Sequence, residues 1–234
     1  MKTIINTQDD RLAVLAAQTL VDEVHDILEH KQQCVLGIVG GSSVVGLFVQ
    51  LSKNREMPWD KIHIFMVDER LVPLEDEQSN YRLARESFLD ALLAHGLINQ
   101  EQLHPFVYDA QTSDYGVKTF KQELKQYGGQ FDIVILSSGE DGHCAALFPN
   151  HNSIDNDSTT FLTMEDSPKP PAKRMSSSRS LLQGCTAAFA LFMGERKHEA
   201  YKLFSKQDTT IQQCPIVLVK DIERGYVITN ISDT

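Results

Sequence analysis

Between residues 8 and 30, apolar side chains recur at Leu12, Leu15, Ala16, Leu20, Val24, Ile27 and Leu28, the spacing of one helical face. This predicts an opening amphipathic helix with Thr7 as its N-cap. The period then changes. Cys34 to Val39 is a continuous apolar run ending in Gly40-Gly41-Ser42-Ser43, after which Val44, Val45, Leu47, Phe48 and Leu51 resume helical spacing, so strand, glycine turn and helix follow in order. Ile62 to Val67 repeats the strand, stops at Asp68-Glu69-Arg70 and leads through a polar loop to a helix over roughly Tyr81 to His95, with Gly96 as its C′ glycine. A helix over Tyr115 to Tyr127, closed by Gly128-Gly129, precedes the strand Phe131 to Leu136, which runs into Ser137-Ser138-Gly139-Glu140-Asp141-Gly142-His143.

From Asn150 to Thr160 the chain is polar, then it tightens at Phe161 to Met164 ahead of a Pro-rich stretch at Ser167 to Pro171, which reads as a loop excursion. Cys185 to Met193 predicts a strand ending at Gly194 and Glu195 to Phe204 a helix. Ile216 to Val219 and Tyr226 to Thr229 predict the strands that close the sheet. Apolar strands without alternation, each followed by a helix, imply a mainly parallel sheet covered on both faces. The expected fold class is α/β, a doubly wound, Rossmann-like open sheet, with residues 1–234 forming one domain.

At 234 residues, 41% apolar and 23% charged, the chain can bury a sizeable core, which disfavours disorder. The 22 Lys plus Arg against 32 Asp plus Glu leave a formal charge of −10, which disfavours nucleic acid and anionic membranes as partners. Any anionic ligand must therefore be held by local charge. The apolar stretch at the N-terminus is too short for a secretory signal, and no segment approaches the ~20 apolar residues of a membrane-spanning helix; a cytoplasmic protein is expected. Cys34, Cys144, Cys185 and Cys214 are far apart and form no CxxC pair, so they read as reduced core thiols rather than a zinc or redox centre.

In doubly wound folds ligands sit beyond the carboxyl ends of the strands, and four predicted strand ends carry chemistry. Gly40-Gly41-Ser42-Ser43 opens a helix and can bring amides and hydroxyls to an anion, although a tight turn alone would look the same. Asp68-Glu69-Arg70 sets two carboxylates beside a guanidinium able to bind phosphate through two bonds, or is a solvated charge cluster. Gly194 leads to Lys197. His143 lies in a glycine-flanked loop two residues from Asp141, where an imidazole could act as general base. His25, His30, His95 and His151 read as surface or packed histidines, and no HExxH or Cys/His spacing suggests a metal.

Taken together, these segments resemble the 6-phosphogluconolactonase family, a branch of the sugar-phosphate isomerase and glucosamine-6-phosphate deaminase superfamily. The family's Gly-Gly-Ser-Thr-Pro turn is matched by Gly40-Gly41-Ser42-Ser43-Val44, and its Asp-Glu-Arg and Ser-Asn-Tyr by Asp68-Glu69-Arg70 and Ser79-Asn80-Tyr81. Its Gly-x-Asp-Gly-His-x-Ala-x-Leu-Phe-Pro is matched from Gly139 to Pro149. The segment Ser167-Pro168-Lys169-Pro170-Pro171-Ala172-Lys173-Arg174-Met175-Ser176 resembles the family's Pro-rich stretch ending in an arginine, and Gly194-Glu195-Arg196-Lys197 its Gly-x-x-Lys. The departures are Ser43-Val44 for Thr-Pro, Ser137-Ser138 for Gly and an apolar residue, Cys144 for a hydroxyl residue and Ser176 for Thr.

The resemblance implies hydrolysis of 6-phospho-D-glucono-1,5-lactone to 6-phosphogluconate in the oxidative pentose phosphate pathway, by side chains alone, with no metal or organic cofactor. His143 would be the general base, with Asp141 and Asp68 supporting it. Arg70, Arg174 and Lys197, with Gly40, Gly41, Ser42 and Ser43, would hold the phosphate, and a monomer acting on a small sugar-phosphate lactone is expected. Two rivals stand beside this. A deaminase or isomerase of the same superfamily would carry Asp-Glu-Tyr where this chain has Asp68-Glu69-Arg70, and a non-catalytic sugar-phosphate sensor would keep the pocket without turnover.

Overall fold

The computed structural model describes residues 1–232. In chain order the elements are β1 (Lys2–Ile5), α1 (Asp9–Leu28), β2 (Cys34–Ile38), α2 (Ser42–Lys53), β3 (Ile62–Met66), β4 (Asp68–Arg70), α3 (Asn80–Ala84), α4 (Asp90–Ala94), β5 (Leu103–His104), α5 (Val117–Gln126), β6 (Ile133–Ser137), β7 (Phe161–Met164), β8 (Arg174–Ser177), α6 (Arg179–Gln183), β9 (Ala187–Phe192), α7 (His198–Ser205) and β10 (Arg224–Thr229). One π turn, Arg85–Leu89, joins α3 to α4, so the predicted helix up to Gly96 is continuous.

Seven strands make a parallel sheet in the order β1-β10-β9-β6-β2-β3-β5. Every residue of β2, β3 and β9 is buried, as unalternating apolar strands must be when both faces are covered. Helix α1 buries Leu12, Ala16, Leu20, Val24 and Ile27, and α2 stacks Phe48 on Phe88 at 4.5 Å between ring centres.

The topology decides where the site lies. From β2 the sheet grows through β3 to β5, and from β6 it grows the opposite way through β9 and β10. Since β2 and β6 are hydrogen-bonded neighbours, the loops leaving their carboxyl ends diverge and open a crevice. Those loops are Gly40–Ser43 and Gly139–His143.

A second, three-stranded sheet pairs β4 antiparallel with β8, and β8 antiparallel with β7. Sequence pattern missed most of it, because Asp68-Glu69-Arg70 reads as the end of a strand and Arg174–Ser177 is too polar to read as one. Both are buried through hydrogen bonds rather than apolar packing: Ser177 Oγ donates to the Val67 carbonyl (2.8 Å), and Ser176 Oγ accepts from the Ala146 amide (3.1 Å).

Two other expectations are corrected. Thr7 does not cap α1; Gln8 occupies that position without a capping side chain, and its amide donates to Asn6 Oδ1. Asp9 and Asp10 in the first turn complement the helix dipole instead. Ile216 to Val219 is not a strand but part of the 3₁₀ segment Pro215–Asp221; proline fixes the opening φ, and a short fully buried apolar run carries no period that separates the two states. The edge strand β1, the two-residue β5 and the five-residue α6 were too short or too exposed to signal.

The four cysteines are unpaired and buried, and burial pushes Cys185 up to about 12 and Cys214 up to about 11. His63 and His104 form a buried pair, Nδ1 to Nε2 at 3.0 Å, with His104 Nδ1 on Glu123 at 2.6 Å. Burial, then the neighbouring His104, pushes His63 down to about 4 from 6.5. A folded-state value below the unfolded one means the contribution is present above about pH 6.5 and is lost as pH falls toward 4. Chemical denaturation of the wild type should therefore lose more stability between about pH 7 and about pH 5 than that of His63→Phe; equal losses would contradict this.

Candidate active site

At the crevice between β2 and β6 lies a cavity of about 260 Å³. Four loops meet there because β9, β6, β2 and β3 are adjacent strands. The β2 loop contributes Gly40, Gly41, Ser42 and Ser43, and β3 passes through Val67 to Asp68 and Arg70. The β6 loop contributes His143, and the turn after β9 contributes Lys197. Arg174 enters from β8. Every expected site residue lines the cavity except Asp141, which stands behind His143.

Helix α2 starts at Ser42 after Gly41, whose φ of 97° is a left-handed conformation that favours glycine. No side chain caps it; the Val44 amide donates to the Gly41 carbonyl at 3.4 Å, and the Ser42 and Ser43 amides remain available to an anion.

Asp68-Glu69-Arg70 divides its labour by strand alternation. Glu69 points away from the cavity and organises the following turn: its carboxylate accepts from the amides of Arg70 (2.8 Å), Asn80 (2.7 Å) and Tyr81 (2.8 Å) and from Ser79 Oγ (3.1 Å). Asp68 is buried at the cavity floor, where Asn80 Nδ2 donates to its Oδ2 at 3.1 Å. Burial raises its carboxyl, opposed by Arg70, Arg174, His143 and Asn80. Arg70 donates Nη1 to the Gln78 carbonyl at 2.7 Å, and its buried Nε has no partner.

In the β6 loop, His143 Nδ1 is 2.5 Å from Asp141 Oδ1. Its other nitrogen has no hydrogen-bond partner among the described residues and belongs to the side chain that lines the cavity. Burial alone would raise the Asp141 carboxyl. The hydrogen bond and charge of His143, joined by Lys169, outweigh burial and hold it well below the usual carboxylate range. The pair lies directly over Gly139, where a Cβ would overlap both His143 Nδ1 and Asp141 Oδ1.

Arg70 and Arg174 are register partners across the β4–β8 ladder, a placement that sets like charges side by side. Burial lowers the Arg174 guanidinium and the Lys197 ammonium from their ordinary values. Arg174 is also engaged elsewhere: it donates to the carbonyls of Lys169, Pro170 and Pro171. Among the further residues that line the cavity, Asn80 and Lys169 are polar side chains that sequence reasoning did not single out. Both lie inside motif strings quoted above, but an Asn after a helix cap and a Lys among prolines give no independent chemical signal.

A larger hollow, about 870 Å³, opens at the start of α1. It presents Asp9, Asp10 and Glu195 beside Arg11 and His198, a mixed-charge lining without the convergence of cations found at the β2–β6 crevice. Among the described residues, no group of three or more His, Cys, Asp or Glu side chains could hold a metal ion.

A family model described as glucosamine-6-phosphate isomerases/6-phosphogluconolactonase matches residues 7–228. A 6-phosphogluconolactonase of Borreliella burgdorferi is 36% identical over 196 residues, covering 84% of this chain and 83% of the relative. The solved structure of a 6-phosphogluconolactonase from Thermotoga maritima superposes with a TM-score of 0.82 at 24% identity, over 97% of this chain and 99% of that one. A monomeric glucosamine-6-phosphate deaminase superposes with a TM-score of 0.80 at 17% identity, over 98% and 97%. The two structural likenesses establish the shared fold.

Proposed function

The chain belongs to the glucosamine-6-phosphate isomerase/6-phosphogluconolactonase family, and from that premise we propose that it hydrolyses 6-phospho-D-glucono-1,5-lactone to 6-phosphogluconate, a step of the oxidative pentose phosphate pathway. His143 Nε2 takes a proton from a water attacking C1, while Asp141 orients the ring and stabilises the imidazolium that forms. The tetrahedral intermediate then expels the ring oxygen, which receives the proton back from His143. Arg70 and Lys197, with the α2 amides and the Ser42 and Ser43 hydroxyls, hold the phosphate. Arg174 and Asp68 shape the field between the two ends. The observation that carries this reading is a concentration of cations, Arg70, Arg174 and Lys197, beside the open face of one histidine on a chain of formal charge −10.

The decisive comparison is between two substrates. Lactone hydrolysis above the spontaneous rate is expected, with no ammonia from glucosamine 6-phosphate. The reverse would assign the chain to the deaminase branch, and saturable 6-phosphogluconate binding without turnover would make it a sensor. Arg70 in place of the deaminase branch's tyrosine, and the 36% identity to a relative named as a lactonase, favour the lactone.

The reaction proceeds without a metal, since a positioned neutral imidazole suffices to deprotonate water attacking an activated ester. Exhaustive chelation should leave the rate unchanged; a loss restored by one divalent metal would contradict this. Gly139→Ala should lower turnover by roughly 100-fold, the scale of an ångström-sized displacement of a reacting group. Wild-type turnover with an intact circular dichroism spectrum would show that the dyad does not depend on its glycine floor.

The enzyme acts as a cytoplasmic monomer of one domain. The cavity is complete without a residue from a second copy, and among the described residues no helix is long and apolar enough to cross a membrane.

A further inference from the structure

The loop between β7 and β8 is fixed around a single residue. The Lys169 amide donates to Ser167 Oγ (3.4 Å), and its carbonyl accepts from Ser167 Oγ (2.9 Å) and Arg174 Nη2 (3.4 Å). Arg174 also donates to the carbonyls of Pro170 (2.9 Å) and Pro171 (3.1 Å). Its guanidinium lies over the Phe148 ring, which in turn faces the ring of His143 at 4.8 Å. Pro168 and Pro170 are exposed, whereas Lys169 between them is half-buried. A lysine is ordinarily left to solvent. Here a buried arginine and a serine hold its backbone, and its Nζ reaches Asp141 Oδ2 at 3.3 Å. The other oxygen of that carboxylate holds His143.

We propose that Lys169 is a positioning residue for His143. Its ammonium, seated on the far oxygen of Asp141, fixes the carboxylate and the imidazole, and it offsets the carboxylate's pull toward the imidazolium, so that the ring stays in its proton-accepting form. This rests on the reading of His143 as the base. The other groups facing the pair do not duplicate the contact. Asp68 approaches from β4. Glu140 is ion-paired with Arg196 at 3.3 Å. Lys197 and Arg174 line the cavity, and the Cys214 thiol beneath Gly142 is pushed up to about 11 by burial and is neutral.

The test is an NMR titration of the His143 imidazole in the wild type, Lys169→Arg and Lys169→Met, assigned against His143→Gln. It is paired with the pH dependence of kcat/KM for the lactone and with 6-phosphogluconate affinity. In Lys169→Met the titration and the rising limb of kcat/KM should move together to higher pH by roughly half a unit to one unit, because a cation beside the pair has been removed. Lys169→Arg should restore both, and product affinity should hold within about threefold of the wild type. An unmoved titration would overturn the proposal, as would weakened product affinity alone, which would place Lys169 on the phosphate. The titration does not depend on turnover. A shift without lactone hydrolysis would therefore fault the proposed function, and hydrolysis with an unmoved titration would fault the role of Lys169.

Discussion

His143→Ala should reduce lactone turnover by ~10²–10⁴-fold, the usual contribution of a positioned proton-transfer group. The loss should fall on kcat, because the ring sits at the end of the cavity served by the β6 loop while the phosphate cations come from β4 and the turn after β9. Affinity for 6-phosphogluconate should change little. The wild-type rate, taken as the difference from a no-enzyme control, should rise with pH across the pH 5–8 range in which histidine changes charge, and the variant's should be flat. Lactones also hydrolyse faster as pH rises, so the subtraction is essential. A variant with near wild-type turnover would remove His143 from the mechanism. Asp141→Asn should fall between the two, since an amide can still orient the ring without stabilising its cation.

Arg70→Ala should weaken 6-phosphogluconate binding by roughly 10- to 100-fold, the range for losing a hydrogen bond to a charged group. The unpartnered Nε and the cross-strand apposition to Arg174 both leave Arg70 with unused binding capacity. Arg70→Lys should recover only part of the affinity, because it keeps charge but loses the planar fork. Calorimetry with 6-phosphogluconate measures both. Removing Arg70 without loss of affinity would place the phosphate elsewhere, and Lys197→Ala gives an independent reading of the same site.

The central sheet was legible because β2, β3, β6 and β9 are continuous apolar runs followed by glycine-rich or charged turns, so periodicity and punctuation agree. The small sheet was not. Its strands β4 and β8 are polar and buried by hydrogen bonds, which leaves no hydrophobic period to read. Ile216 to Val219 failed for the opposite reason, being apolar at every position in either conformation. The site residues came from motif strings at strand ends. The sequence could not say that Glu69 faces away from Asp68, that Arg174 divides itself between cavity and loop, or that β2 and β6 flank the point where the sheet changes direction. Each of these depends on which segments lie side by side, and Lys169 went unnoticed because its partner Asp141 lies 28 residues earlier in the chain.

The most direct measurement is a crystal structure of the complex with 6-phosphogluconate. The phosphate should lie against Arg70, Lys197 and the α2 amides, with the C1 carboxylate within hydrogen-bond reach, ~2.6–3.2 Å, of His143 Nε2. A product bound in the reverse direction, with its phosphate on His143, or bound outside the crevice between β2 and β6, would contradict the assignment of this cavity as a lactonase site.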